Sequence, residues 1–137
     1  MKGNYSKEDI PSALKKAGIQ KGDTVYVSSS LGLIGCPPEN IKSTDNLCEL
    51  FYHAIWDVIG EDGTLIVPTF SYTFGKGTAN EPAVFDPQTT PADIGAFPNF
   101  VLQQEGVTRS LDPMLSVAGK GTRLMEFIRD LPPTSYG

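Results

Sequence analysis

The chain has 137 residues and a formal net charge of −5 at pH 7, from 11 basic and 16 acidic residues. This length predicts one domain with a single core, and an acidic chain without a basic stripe argues against a nucleic-acid partner. The N-terminus lacks the apolar stretch of a signal peptide and no run is long enough to span a bilayer, so we expect a cytoplasmic protein that does not bind membranes.

The N-terminal segment predicts a helix. Ser6 and Asp9 are placed to cap it, and apolar residues recur along one side up to about Ala17. Pro11 falls in the first turns, where its missing N–H does little harm, and Gly18 ends the helix.

A buried strand is predicted over residues 24–27, because an apolar, β-branched run breaks abruptly into three serines and a glycine. In open α/β sheets, ligands bind beyond the carboxyl ends of the strands, where backbone N–H groups and short hydroxyl side chains face a crevice. Ser28, Ser29 and Ser30 offer hydroxyls and amides without charge, which suits a phosphate or an amide-rich ligand better than a metal. A serine-rich turn without a ligand is the alternative.

A long amphipathic helix is predicted next. Ser43 or Thr44 caps it, and apolar residues recur at three- and four-residue spacing up to Ile59, with Gly60 as the C′ residue. His53 lies beside the apolar stripe rather than squarely on it. A plain surface histidine is therefore the favoured interpretation.

The unbroken apolar run at residues 64–68 predicts a strand covered on both faces. Strand, helix and strand over this length form a βαβ unit, whose crossover is nearly always right-handed. We therefore expect the segments at residues 28–32 and 68–72 to open on the same side of the sheet.

The chain from residue 69 to about residue 91 predicts a long loop, since it is polar, aromatic and contains several Gly and Pro residues. Such a segment is usually functional or poorly ordered. Phe70, Tyr72 and Phe74 lie near its start, and exposed aromatics near a strand end are frequent at interfaces. One interpretation of the protein is therefore a non-catalytic α/β domain that binds a small ligand or another chain, including its own copy in a homodimer.

The C-terminal part predicts two short helices around an irregular segment. The first covers residues 92–105 and is interrupted by Pro98, and the second covers residues 122–130, after which the final residues are expected to fray. Between the helices, Arg109 could project its guanidinium toward a phosphate or carboxylate. From the residues alone, a solvated arginine is somewhat favoured.

Several short motifs are discounted. The Gly-Lys-Gly-Thr stretches at residues 75–78 and 119–122 lack the upstream glycine of a phosphate-binding P-loop, which argues against a nucleotide triphosphatase. Cys36 and Cys48 with a single histidine cannot form a recognisable zinc site, so we expect no metal and two reduced thiols. An aspartate before a proline, as at residues 86 and 112, is typical of turn initiation.

Four stretches occur in an order and spacing that are hard to reach by chance. They are Gly22-Asp23-Thr24-Val25 leading to Ser29-Ser30-Leu31; Gly60-Glu61-Asp62-Gly63-Thr64-Leu65 with Val67-Pro68-Thr69-Phe70; Phe85-Asp86 with Thr90-Pro91 and Gly95; and Arg109-Ser110 with Pro113 and Ser116-Val117-Ala118. Together they resemble the antibiotic N-acetyltransferase family typified by aminoglycoside 3-N-acetyltransferases.

This resemblance implies an α/β fold of three-layer type, with a βαβ crossover and helices on both faces of an incomplete sheet. It also implies an acyltransferase that moves an acetyl group from acetyl-CoA, its co-substrate, to an amine of an aminosugar or aminoglycoside, an antibiotic-resistance activity. Residues 1–137 would be one domain, the N-terminal acetyl-CoA-binding portion of a longer protein. The residues that the resemblance assigns to cofactor binding are Ser29, Ser30, Leu31, Thr69, Phe70, Arg109, Ser110 and Ser116.

The chain departs from the family pattern at sites that carry chemistry. Ser28 and Asp112 stand where many relatives have histidine, and a carboxylate is a poor base at neutral pH unless its pKa is raised. Asp112 is instead a candidate for binding an ammonium group of the acceptor. The family's proposed general base, a histidine in a Leu-His-x-x-Glu helix, has no counterpart up to Gly137. We therefore expect that base beyond Gly137, and a chain that need not be active alone.

Overall fold

This computed structural model describes residues 3–132, apart from the side chains of residues 73 and 74. The elements are α1 Asp9–Lys16, β1 Thr24–Tyr26, α2 Thr44–Ile59, β2 Thr64–Pro68, α3 Ala96–Leu102, β3 Thr108–Arg109, β4 Val117–Gly121 and α4 Leu124–Ile128, with 3-10 turns at Leu31–Leu33 and Thr73–Lys76. No helix within this described part is long and apolar enough to cross a membrane.

The strands form one mixed sheet of four strands in the order β1-β2-β4-β3. β1 and β2 pair in parallel, with Thr24 opposite Thr64, which confirms the predicted βαβ unit. β4 pairs antiparallel with β2 on one side and with β3 on the other. Neither β3 nor β4 was predicted, because their short sequences lack the apolar run that marks β2.

Helices cover both faces of the sheet, as the resemblance implied. α1, α2 and α3 pack over one face, and the core there includes Ile59, Leu65, Val67, Phe97 and Ala118, each at most 2% exposed. α4 covers part of the other face. Its contacts with the sheet are made by residues that form a second, smaller cluster: Leu124 and Ile128 with Ile66 and Val117.

The long helix α2 begins and ends as its sequence predicts. Ser43 is the N-cap, and its Oγ accepts a hydrogen bond of 3.1 Å from the backbone N–H of Asn46. Gly60 has a φ of 67°, a left-handed conformation that favours glycine.

In α1, the Asp9 carboxylate accepts bonds from both the N–H and the hydroxyl of Ser6, and these bonds lower the pKa of Asp9.

Some predicted elements differ from the structure. β1 is not buried: it lies at the sheet edge with one neighbouring strand, and Tyr26 is 54% exposed. Pro98 does not interrupt α3, because it falls in the first turn, where the missing N–H is not needed. The last helix is shorter than predicted and stops at Ile128. The frayed end expected after it falls on residues 133–137, outside the described residues.

β4 contains glycine because β2 approaches it closely. A Cβ added at Gly119 would lie 2.2 Å from the carbonyl oxygen of Leu65 and 3.1 Å from the Cα of Ile66. Both of those atoms belong to a central strand and cannot move aside without disturbing the ladder. The Gly-Lys-Gly-Thr stretch at residues 119–122 therefore serves sheet packing, in keeping with its rejection as a P-loop.

We predict that Gly119→Ala lowers the free energy of unfolding by about 3 kcal/mol, because the added methyl group forces β2 and β4 apart. Urea denaturation followed by circular dichroism measures this change. Gly32→Ala is the matched control, since a Cβ there meets no atom within 4 Å, and its effect should stay within about 0.5 kcal/mol. Equal losses in the two variants would contradict the close approach.

Candidate functional site

The carboxyl ends of β1 and β2 open into one cleft of about 400 Å³, here called the strand-end cleft. The adjacency follows from the parallel pairing, which continues past β1 through a 2.8 Å bond from the N–H of Val27 to the carbonyl of Ile66. The lining residues come from the two strand ends, from the segment before α3 and from the first turn of α3: Tyr26, Ser28, Ser29, Ser30, Pro68, Phe70, Tyr72, Ile94 and Pro98. The expectation that both strand ends face one crevice is thus confirmed.

The serine loop gives the strand-end cleft its polar groups. Ser28 and Ser30 are exposed, whereas Ser29 is half-buried. The Oγ of Ser29 is shielded from solvent and has no hydrogen-bond partner among the described residues. None of the described residues that line the cleft carries a charge. The cleft therefore offers hydroxyl groups and aromatic surface to a ligand rather than an ionic contact.

The segment after β2 is held in place by backbone pairing with the residues before β4. The N–H of Thr69 donates to the carbonyl of Ser116 at 2.8 Å, and the N–H of Ser71 donates to that of Met114 at 3.0 Å. On the other side, the N–H of Tyr72 donates to the Asp93 carboxylate at 2.7 Å. These bonds fix Phe70 and Tyr72 against the cleft although they belong to a long loop.

Arg109 lies at the centre of a buried polar network beside this segment. Its side chain is only 7% exposed, and each guanidinium nitrogen donates to protein. Nη2 bonds the carbonyl of Thr69 at 2.6 Å, Nε bonds the hydroxyl of Ser116 at 3.0 Å, and Nη1 bonds the carbonyl of Thr90. The guanidinium also stacks 4.9 Å from the ring centre of Phe85. Burial lowers the pKa of Arg109, but an arginine stays charged at this depth.

This network corrects the predicted position of Arg109. The solvated arginine favoured from the residues alone is wrong, and the alternative, a guanidinium that projects toward a phosphate or carboxylate, does not fit a side chain whose nitrogens donate to three protein oxygens. Thr69, Ser110 and Ser116 are equally buried, at 4% exposure or less, and Leu31 lies in the apolar core. Of the residues expected to bind the cofactor, Ser29, Ser30 and Phe70 line the strand-end cleft.

Comparison with known proteins decides the family. The family model described as aminoglycoside 3-N-acetyltransferase matches residues 33–137, most of the chain. The chain belongs to the aminoglycoside 3-N-acetyltransferase family. The resemblance seen in its sequence motifs is thereby confirmed.

Several solved structures share this fold. Aminoglycoside acetyltransferase AAC(3)-Xa superposes with a TM-score of 0.76 at 25% identity, over 93% of this chain and 47% of its own. YokD from Bacillus subtilis gives 0.75 at 25% identity, over 93% and 55%. AAC-IIIb, solved with CoASH, gives 0.75 at 21% identity, over 94% and 50%. The chain thus spans about half the length of these structures, and no curated protein sequence matches it.

The aspartates that precede prolines form turns in this acetyltransferase-family chain. Oδ1 of Asp112 accepts bonds from the backbone N–H groups of Met114 and Leu115 at 2.8 and 2.9 Å. Asp86 accepts a bond of 2.8 Å from the N–H of Gln88, and its pKa is lowered chiefly by that bond. The turn interpretation is therefore confirmed for both residues.

His53 lies apart from the strand-end cleft. It is exposed on α2, and its Nε2 is 3.9 Å from the Glu49 carboxylate. It borders a different cavity, together with Trp56 and Glu61, near the opposite end of β2. The interpretation as a surface histidine is confirmed. Within residues 3–132, no group of three His, Cys, Asp or Glu side chains is placed to hold a metal ion.

Sequence reasoning missed Tyr26, Ile94 and Pro98 as walls of the cleft. The alternation of a strand carried a usable signal for Tyr26, since its neighbours Val25 and Val27 pack against the core on the opposite face. No comparable signal exists for Ile94 and Pro98. Their place is set by long-range bonds, such as that from the N–H of Asp93 to the carbonyl of Phe70.

We predict that Arg109→Met destabilises the chain by about 3 kcal/mol, because the carbonyl of Thr90 loses its buried donor and that of Thr69 keeps only the Ser116 hydroxyl. Arg109→Lys should recover part of the loss, since one ammonium group cannot reach all three oxygens. Urea denaturation measures both variants.

Arg129→Met is the control for this series. Its side chain is 71% exposed and pairs with Asp130 on the surface, so its effect should be about 0.5 kcal/mol or less. An Arg109→Met variant as stable as this control would contradict a structural role for the buried network.

Proposed function

We propose that the strand-end cleft binds the pantetheine arm of acetyl-CoA and that this chain forms the acyl-donor portion of an aminoglycoside 3-N-acetyltransferase. The observation that carries the proposal is the parallel pair β1 and β2, whose carboxyl ends form one cleft of uncharged hydroxyl and aromatic groups in a member of this family. Residues 1–137 would act as one α/β domain of a longer cytoplasmic enzyme.

The chemistry of the cleft suits an elongated, amide-rich ligand. Pantetheine carries two amide groups, and the hydroxyls of Ser28, Ser29 and Ser30 can both donate to and accept from them. Phe70 and Tyr72 supply apolar surface beside the serines. AAC-IIIb, which shares this fold, was solved with CoASH. A phosphate would bind backbone N–H groups rather than Arg109, whose nitrogens bond protein oxygens.

Acetyl transfer to an amine also requires a base for the amine proton and donors for the tetrahedral oxyanion. The Ser29 hydroxyl, which lacks a partner among the described residues, is a suitable oxyanion donor. The sequence has one histidine, and it borders another cavity. We therefore assign the general base to residues outside this chain.

Membership of the family supports a proposal for the acceptor class. AAC(3)-IVa was solved with apramycin, at 25% identity and a TM-score of 0.72 over 97% of this chain and 50% of its own. We propose an aminoglycoside or related aminosugar as the acceptor here. Asp112 is 9% exposed and does not line the cleft, so the geometry of the cleft does not support its expected contact with an ammonium group.

Isothermal titration calorimetry of the folded chain with CoA tests the donor role. We predict measurable binding that weakens about tenfold or more in Ser30→Asp, because a carboxylate in the cleft repels the phosphates. Ser12→Asp is the matched control: Ser12 is exposed on α1 and lines none of the cavities described here, so its affinity should equal that of the wild type.

Absence of binding heat at millimolar CoA, with a folded sample, would contradict the donor role. Size-exclusion chromatography then addresses the second interpretation. A stable dimer without CoA affinity would favour an interaction domain, and the exposed Tyr72, at 49% exposure, is the aromatic that would mediate it.

A further inference from the structure

A second cavity lies beneath α1, and it is here called the α1 cavity. Its volume is about 460 Å³, which falls within the range of small-molecule sites. Its walls are almost wholly apolar and come from α1, the end of β1 and α2; they include Ile10, Leu14, Val27, Leu31 and Phe51. A space of this size and composition is suited to an apolar group.

The polar residues at the rim of the α1 cavity are already engaged. The Asn4 side chain accepts a bond of 2.8 Å from the N–H of Cys36, and the Asp9 carboxylate accepts two bonds from Ser6. Both bonds from Ser6 reach Oδ2 of Asp9, and the lowered pKa of Asp9 keeps this rim carboxylate negatively charged. An anionic ligand would find no cationic partner among the described residues that line this cavity, whereas a hydrocarbon chain would lose no hydrogen bond there.

The α1 cavity adjoins the strand-end cleft. Ser29 lines both spaces. On the facing wall, Phe97 of α3 lines the α1 cavity and the next residue, Pro98, lines the cleft. The two spaces are thus neighbours across the serine loop and the first turn of α3. A ligand seated in the cleft could extend one end past Ser29 into the apolar space.

Two buried hydroxyl groups at this cavity lack partners. Ser29 Oγ at the junction and Tyr5 Oη in the wall are shielded from solvent and make no hydrogen bond among the described residues. Buried hydroxyls normally find a partner, because leaving one unpaired costs free energy. A ligand with an apolar chain and a carbonyl oxygen near Ser29 would supply the missing acceptor.

We propose that the α1 cavity receives the acyl chain of an acyl-CoA longer than acetyl-CoA, with the thioester carbonyl near Ser29. The inference rests on the proposed binding of CoA in the strand-end cleft and extends it to the donor's acyl group. The cavity volume, the apolar walls and the shared residue Ser29 together favour a straight aliphatic chain over a polar or charged acyl group.

Calorimetry with CoA, acetyl-CoA and hexanoyl-CoA tests the proposal on the full chain. Because each buried methylene group favours binding, hexanoyl-CoA should bind about tenfold or more tightly than CoA, while acetyl-CoA should differ little from CoA. Methyl NMR spectra should show shifts of Leu14, Leu31 and Ile55 with hexanoyl-CoA that CoA does not produce, since these side chains line the cavity.

Ala13→Phe provides the matched variant. Ala13 is an exposed residue at the rim of the α1 cavity, so a phenyl ring there fills the cavity without entering the core. It should abolish the preference for hexanoyl-CoA and leave CoA affinity unchanged. Ala17→Phe is the control, because Ala17 is exposed at the end of the same helix and lines no part of the cavity.

The outcomes separate this inference from the proposed function. Binding of CoA with no gain for hexanoyl-CoA overturns the acyl site alone. An equal gain in Ala13→Phe and Ala17→Phe also overturns it, because the chain would then bind elsewhere. Failure of CoA and hexanoyl-CoA alike to bind overturns both proposals.

Discussion

The candidate site depends on one buried cation, the guanidinium of Arg109. It donates to carbonyls from two segments that are distant in the chain, those of Thr69 and Thr90, and to the hydroxyl of Ser116 before β4. A charged group at this depth is tolerated only when it is hydrogen-bonded, and here each guanidinium nitrogen donates to a protein oxygen. The long loop after β2 therefore has a defined path, and Phe70 and Tyr72 have defined places.

The guanidinium of Arg109 is held by protein oxygens and does not line the strand-end cleft, so the cleft is neutral. The described lining residues offer hydroxyls and aromatic rings, but no ionic group. Such a surface selects a ligand by length and by the spacing of its amides rather than by charge. A neutral cleft can also adjoin the apolar α1 cavity at Ser29, whereas a charged cleft would need water molecules at that boundary.

The chain spans about half the length of the structures it resembles, yet the cleft is built from a continuous part of it, residues 26–98. The two parallel strand ends, the segment before α3 and the first turn of α3 form its walls. In our proposal the donor side of the reaction is assembled here, while the base acts from outside the chain. That division follows the chemistry, because holding a thioester needs uncharged donors and accepting an amine proton needs a titratable group.

Local sequence determined α2 and β2. A 3.6-residue apolar period between Ser43 and Gly60 predicts the helix, and an unbroken apolar run predicts the strand. The motifs also identified the family. Only the tertiary structure decided the place of Arg109 and the strand at Gly119. The local sequence around an arginine does not distinguish a solvated side chain from a buried one, because burial depends on carbonyls from other segments. A glycine in a strand likewise reflects the approach of a neighbouring backbone, which no local pattern records.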